Sequence, residues 1–201
     1  MKRLSRSFFQ RDFLTVAEEL VGSSLIWGEC EGIVVETEAY ASVGDEACHT
    51  FSRKSTREFV QEKAPGTAYV YLNYGMYWLL NVLVKDPTGN ADGIILIRAL
   101  EPTAGLDVMR KRRRKDTVHA LCSGPGKLGQ ALGITGEHHG LDLCDGPNGF
   151  KARAEAGTRE VETDVRIGIS RAVDFPWRFL LKASPYVSVP HSRSTTWRKS
   201  E

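Results

Sequence analysis

The segment GIVVETEAY, residues 32–40, places two carboxylates and a phenol at alternate positions, Glu36, Glu38 and Tyr40. Successive side chains of an extended chain point to opposite faces, so the three share one face of a strand otherwise rich in Val, Ile and Ala. An acid pair on a strand is ordinarily a solvated outer face. The apolar company of these acids and His49 nine residues beyond Tyr40 weigh against that reading. A carboxylate shielded from water can act as a general base, and paired carboxylates suggest activation of water, as in hydrolysis of a glycosidic bond. Acids two apart on a strand are anchored about 7 Å apart. That spacing also suits a carbohydrate glycosidase using Glu36 and Glu38 as acid and base.

Three further motifs could meet a polyanion. In Asn73-Tyr74-Gly75-Met76 an aromatic occupies a turn that normally carries small polar residues. Tyr74 either folds back on its own hairpin or acts as a wedge between stacked bases. SGPGKLG, residues 123–129, contains G-x-G-x-x-G, but HALC before it is too short and weak for the strand that a dinucleotide fingerprint requires. The phosphate loop of nucleotide hydrolases fails as well, because Gly126-Lys127 is followed by Leu128. What remains is a helix N-terminus with free amides, a seat for one backbone phosphate beside Lys127. The run RKRRRK, residues 110–115, is ordinarily a solvated face and could add sequence-independent attraction to phosphates.

The elements that must carry these residues follow from periodicity and turn signals. Asp12 is expected to cap a helix with Phe13, Val16, Ala17, Leu20 and Val21 on its apolar face. Strands are expected at Ser24 to Trp27 and Ile33 to Ala39, forming a hairpin, and at residues 67–72 and 77–84, forming a second one around the Tyr74 turn. The stretch from Ser42 to Gly66 reads as short helical turns and loop. A strand over residues 93–100 leads into a helix opened by Pro102. Residues 165–170 and 178–183 read as two more strands, 148–164 as a surface loop, and KLGQAL as a helix. Strands clustered between helices, without regular βαβ alternation, predict an α+β domain with a largely antiparallel, curved sheet, flanking helices and a protruding hairpin.

With 201 residues, 41% of them hydrophobic, the chain can bury one core, expected over residues 1–190 and followed by a basic tail, 191–201, with Arg193, Trp197, Arg198 and Lys199. A net charge of +2 neither demands nor excludes a nucleic acid. The four cysteines, Cys30, Cys48, Cys122 and Cys144, form no C-x-x-C pair, which argues against a zinc ribbon, an iron–sulfur cluster or a disulfide framework and for a reducing compartment. The basic start lacks the apolar stretch of a signal peptide, and the longest apolar runs fall short of the roughly 20 residues of a membrane span. A cytosolic protein with no membrane partner is expected.

Together these pieces resemble the alkyladenine (3-methyladenine) DNA glycosylase family of monofunctional base-excision enzymes, from about Phe9 to Val189. The motifs are VVETEAY, DEACH, PGTAYVYLNYGMYWLLN, LIRALEP, SGPGKLGQALGI, VRIGIS and SPYVSV. The resemblance implies that Glu38 is the general base and Glu36 structural, with Arg98 and the backbone carbonyl of Ile167 holding the attacking water. Tyr40, His49 and Tyr71 are implied to grip the extruded base and Asn81 to screen it. Tyr74 is implied to intercalate, with Gly75, Met76 and Leu96 beside it at the DNA surface, and Ser123, Gly124 and Lys127 to contact the backbone. No cofactor or metal is implied; the partner is double-stranded DNA containing damaged purines, met by a monomer in a bacterial nucleoid or a eukaryotic nucleus. Where the family reads T-P-R-N before P-G, this chain has Ser55-Thr56-Arg57-Glu58. A non-catalytic nucleic-acid binder is the other alternative, for which Glu38 would be a liability beside phosphates.

Overall fold

The computed structural model describes residues 2–152 and 160–191. The strands are β1 (Ser24–Trp27), β2 (Cys30–Ala41), β3 (Ala68–Asn73), β4 (Tyr77–Val84), β5 (Gly93–Ala104), β6 (Gly149–Lys151), β7 (Val161–Asp164) and β8 (Arg178–Leu181). The helices are α1 (Phe13–Leu20), α2 (His49–Ser52), α3 (Lys54–Glu62), α4 (Leu106–Arg113), α5 (His119–Cys122) and α6 (Pro125–Leu132). The strands form one curled antiparallel sheet in the order β3-β4-β5-β2-β1-β6, with β8 added to β2 and β7 to β8. The α+β expectation holds. Among the described residues no helix is long and apolar enough to cross a membrane.

β2 is the axis of this sheet. Its first residues pair with β1, from Trp27 opposite Cys30 to Ser24 opposite Ile33, while Glu36, Thr37 and Glu38 face Leu180, Phe179 and Arg178 of β8. β5 follows its other edge along most of its length. Val34 to Ala39 are therefore buried, acids included. α1 covers this region: Asp12 accepts from Thr15 N at 2.8 Å, the expected cap, which contributes about 1 kcal/mol. Phe13, Val16, Ala17 and Leu20 turn inward, and Thr37 Oγ1 donates to the Ala17 carbonyl at 2.8 Å.

Two irregularities in the β2–β5 ladder matter for the site. The register passes from Val34 opposite Leu100 to Glu36 opposite Ala99, and then to Thr37 opposite Ile97. Val35 is thus the extra residue on β2 and Arg98 the extra residue on β5. Bulges bend a strand and re-aim the side chain they carry, and both lie beside the acids.

Some elements depart from the sequence expectation. Pro102 does not open a helix; it lies within β5, and α4 begins at Leu106 after Gly105. Beyond Leu96, β5 has lost β4 as a neighbour, and a strand open on one side tolerates a proline. Residues 165–170 form no strand, because Arg166 and Ile167 are bound to side chains of other segments and Gly168, at φ 73°, turns the chain. The strand of this region is β7, inside the stretch expected to be loop, as is β6. HALC is helical, so the rejected dinucleotide fingerprint has no strand before it.

α6 lies close against β4. A Cβ added at Gly129 would sit 2.1 Å from the Trp78 carbonyl oxygen, so the helix reaches the strand only because this residue has no side chain. Replacing Gly129 with Ala is expected to destabilise the fold by roughly 1–3 kcal/mol through backbone displacement, opposite in sign to the usual helix preference for Ala, as measured by urea unfolding.

Candidate active site

The acids of β2 are held differently although they share a strand face. Glu36, without solvent exposure, accepts four hydrogen bonds: from Arg98 Nε at 2.8 Å, Arg178 Nη1 at 3.0 Å, Ser188 Oγ at 2.8 Å and Ser188 N at 2.5 Å. Arg178, itself fully buried, also binds Asp164 at 3.0 Å. A carboxylate saturated by donors and tied to two guanidiniums cannot serve as the proton-carrying acid of a two-carboxylate sugar hydrolase. The carbohydrate reading loses its general acid.

Among the described residues Glu38 retains a spare acceptor position. Oε1 accepts from the Ile167 amide at 2.7 Å, and Oε2 accepts from the Tyr40 hydroxyl at 2.7 Å and from Arg98 Nη1 at 3.1 Å. Among the described residues these use three of the roughly four acceptor positions of an ionised carboxylate, leaving one on Oε1. Every partner donates, the pattern that suits a charged carboxylate. Burial, and then the charge of Glu38, raise the Tyr40 hydroxyl well above its usual range, so it keeps the proton it donates. Burial alone would lower the Arg98 guanidinium, but Glu38 and then Glu36 outweigh it and the net shift is upward. Arg98 reaches both acids from its bulge, with its Nε on one and Nη1 on the other. The contact from residue 167 to Glu38 is made by its amide.

Above this cluster opens a cavity of about 470 Å³. Glu38 lies behind its wall, while Tyr40, Arg98 and Ile167, its partners, line it. Part of the lining is aromatic: His49 meets the Tyr71 ring edge-on at 4.4 Å, and Tyr69 packs near both. Burial, followed by Tyr69 and Glu38, pushes the Tyr71 hydroxyl up to about 12. Asn81, 3% exposed, completes the wall and donates to the Tyr69 carbonyl at 2.9 Å. Tyr40, His49, Tyr71, Asn81, Arg98 and Ile167 are thereby brought together at one cavity. Leu96 belongs with them: at 4% exposure it is part of the wall of the cavity that Tyr74 also lines. Its apolar neighbours in β5 were signal enough to place it inside.

Tyr74 stands at the cavity rim with 80% of its surface exposed and does not fold back on the hairpin. Met76 N donates to the Asn73 carbonyl at 3.0 Å, closing a turn whose central residues, Tyr74 at φ 51° and Gly75 at φ 67°, are both left-handed, as a type I′ turn requires. Gly75 adopts this freely, whereas the tyrosine pays about 1–2 kcal/mol for it. Met76, 67% exposed, stands beside it. Ser123 is buried and accepts from Lys127 Nζ at 3.3 Å, while Gly124 precedes α6 and Pro125 lines the cavity.

The basic run is less available than its composition suggests. Arg112 binds the Ala131 carbonyl and lies against Cys30, at the end of β2 away from Tyr40; Arg113 binds Gln130 and the Ala120 carbonyl. Both arginines lock α4 onto its neighbours. The tail residues Arg193, Trp197, Arg198 and Lys199 lie outside the described residues.

Missed by sequence reading was Asp45 with Arg166, an ion pair with both side chains at 0% exposure. Arg166 Nη2 meets Asp45 Oδ1 at 2.8 Å, Nη1 donates to the Ala39 carbonyl at 3.0 Å, and the guanidinium covers the Tyr40 ring at 4.6 Å. Asp45 also accepts from the amides of Ala41 and Ala47. The pair joins the strand of Tyr40, the approach to His49 and the loop of Ile167. Its two residues lay in the quoted motifs DEACH and VRIGIS, but nothing in either motif signals that they meet.

His49 is lowered to about 4 by burial and then by Arg53. Above an unfolded value near 6.5 both states are neutral; as pH falls from there towards 4 only the unfolded chain takes the proton, so stability is lost across that window. Urea unfolding at pH 7 and pH 5 is expected to show a larger loss for the wild type than for His49→Gln.

Comparison with known proteins places the chain in a family. A family model described as methylpurine-DNA glycosylase matches residues 7–185. A protein of Rhodopseudomonas palustris named "Putative 3-methyladenine DNA glycosylase" is 48% identical over 190 residues, covering 94% of this chain and 90% of its own. Proteins of the same name from Bradyrhizobium diazoefficiens and Prosthecochloris aestuarii are 45% and 42% identical, each covering 94% of this chain and 92% of their own. The chain belongs to the methylpurine-DNA glycosylase family, enzymes that hydrolyse N-glycosyl bonds in DNA.

Proposed function

We propose that this enzyme extrudes alkylated purines, such as 3-methyladenine and 7-methylguanine, with hypoxanthine a further candidate, from duplex DNA and cleaves the N-glycosidic bond with water activated by Glu38, leaving an abasic site. The carrying observation is the buried Glu38 carboxylate, with an acceptor position on Oε1 free among the described residues, directly behind a cavity walled by its own partners. Water entering beside Arg98 and Ile167 gives its proton to Oε1, and the developing hydroxide attacks C1′ of the sugar. The negative charge of Glu38 also stabilises the cationic sugar of the transition state.

Alkylation places a positive charge on the purine, so it departs as a neutral base. The faces of Tyr40 and Tyr71 attract that charge by roughly 1–2 kcal/mol when desolvated, an attraction that normal purines lack. His49, neutral near pH 7, does not repel it. Damaged bases also cost less to unstack, so two small preferences multiply. Tyr74, exposed on a stiff turn at the rim, fills the gap that extrusion leaves. On this reading the DNA lies across the rim, with one backbone phosphate near Gly124 and Lys127.

The pure protein, incubated with methylated duplex DNA in the presence of chelator, is expected to release free 3-methyladenine without forming an adduct that borohydride traps. No released base, or a trapped adduct pointing to an amine nucleophile, would remove the reading. Tyr74→Asn, whose side chain tolerates the left-handed turn, should raise stability by about 0.5–1 kcal/mol while weakening binding to lesion DNA more than to undamaged duplex. Equal losses on both DNAs would argue against the wedge.

A further inference from the structure

A hydroxyl chain runs from α3 to the cavity wall, and the need of each buried proton for an acceptor gives it a direction. Thr56, in α3 and 2% exposed, places Oγ1 2.9 Å from Tyr69 Oη, and Tyr69 Oη lies 2.9 Å from His49 Nδ1. Each hydroxyl has one proton. Among the described residues Tyr69 Oη is the sole partner of Thr56 Oγ1, and a buried hydroxyl proton requires an acceptor, so Thr56 donates to Tyr69. The proton of Tyr69 then has Nδ1 of His49 as its acceptor. A nitrogen that accepts is unprotonated, and the neutral ring carries its hydrogen on the other nitrogen.

We propose that Thr56 and Tyr69 are positioning residues that form a one-way relay, fixing His49 as its neutral Nε2–H tautomer and thereby setting the cavity wall as a hydrogen-bond donor without charge. Reversing the chain would leave the Thr56 proton buried with no acceptor among the described residues. The environment agrees, since burial and then Arg53 hold the ring neutral near pH 7. The edge-on contact of His49 with Tyr71 fixes the plane of the ring, and the relay fixes which nitrogen donates. Resting on the extrusion reading above, the consequence for substrate is specific: the wall admits a cationic purine and favours one that presents an acceptor to Nε2–H.

The test is NMR of protein labelled with [15N]histidine, in which the signals of His49, one of five histidines, are identified by their loss in His49→Gln. At neutral pH the wild type is expected to show an unprotonated Nδ1 and a protonated Nε2. Thr56→Val should raise the share of the Nδ1–H form about fivefold, the worth of one typical hydrogen bond, and Thr56→Ser should restore it. With Tyr69→Phe already present, Thr56→Val should change nothing further. A protonated Nδ1 in the wild type, or an unchanged ratio in folded Thr56→Val, overturns the relay. The wild-type spectrum needs neither a variant nor DNA, so it decides the relay independently of whether the enzyme releases methylated bases.

Discussion

The charge on Glu38 is kept at 0% exposure, and much of the structure exists to make that tolerable. An unpaired carboxylate in such a place would neutralise or destabilise the fold by several kcal/mol. Here an amide, a phenol and a guanidinium each donate to it, and these donors come from the loop after β7, from β2 itself and from the bulge of β5. None of them takes the last position on Oε1, and all three face the cavity. Burial strengthens the carboxylate's interaction with any positive charge developing nearby, since little water intervenes.

Glu36 makes this arrangement rigid. Arg98 can aim at Glu38 because its Nε is anchored on Glu36, which is itself held by Arg178 and by Ser188 near the end of the described chain. The acid that resembles a catalytic partner in sequence is an anchor in space. Removing one member of such a buried network leaves its partner's charge uncompensated, typically at about 3–5 kcal/mol. The Asp45–Arg166 pair repeats the logic on the far side of Tyr40, gripping the backbone on both sides of that residue through Ala39 and Ala41. The two systems meet at Tyr40, whose hydroxyl serves Glu38 and whose ring lies under Arg166.

Much of this was legible because its signals are local. Alternation around Glu36, Glu38 and Tyr40 needs only the pleat of one strand, the Asp12 cap only three residues, and the Tyr74 turn only an Asn and a Gly around an aromatic. The illegible parts are those that depend on a second segment. Pro102 reads as a helix start until β5 is seen to have an open edge there. Residues 165–170 alternate like a strand, but Arg166 is drawn to Asp45 and Ile167 to Glu38, contacts spanning 121 and 129 residues. The roles of Arg112 and Arg113 were hidden likewise, since a run of charges shows nothing of the carbonyls waiting on α5 and α6. The bulge that aims Arg98 appears only in the register of two paired strands.

The central claim is that the Glu38 carboxylate takes the proton of the attacking water, and single-turnover kinetics on a 3-methyladenine or 7-methylguanine duplex test it most directly. Glu38→Gln retains the size of the side chain and should bind the lesion duplex, while its rate of base release falls by about 100- to 10,000-fold, the usual contribution of a positioned base. A folded Glu38→Gln enzyme that releases the base at the wild-type rate would contradict the account.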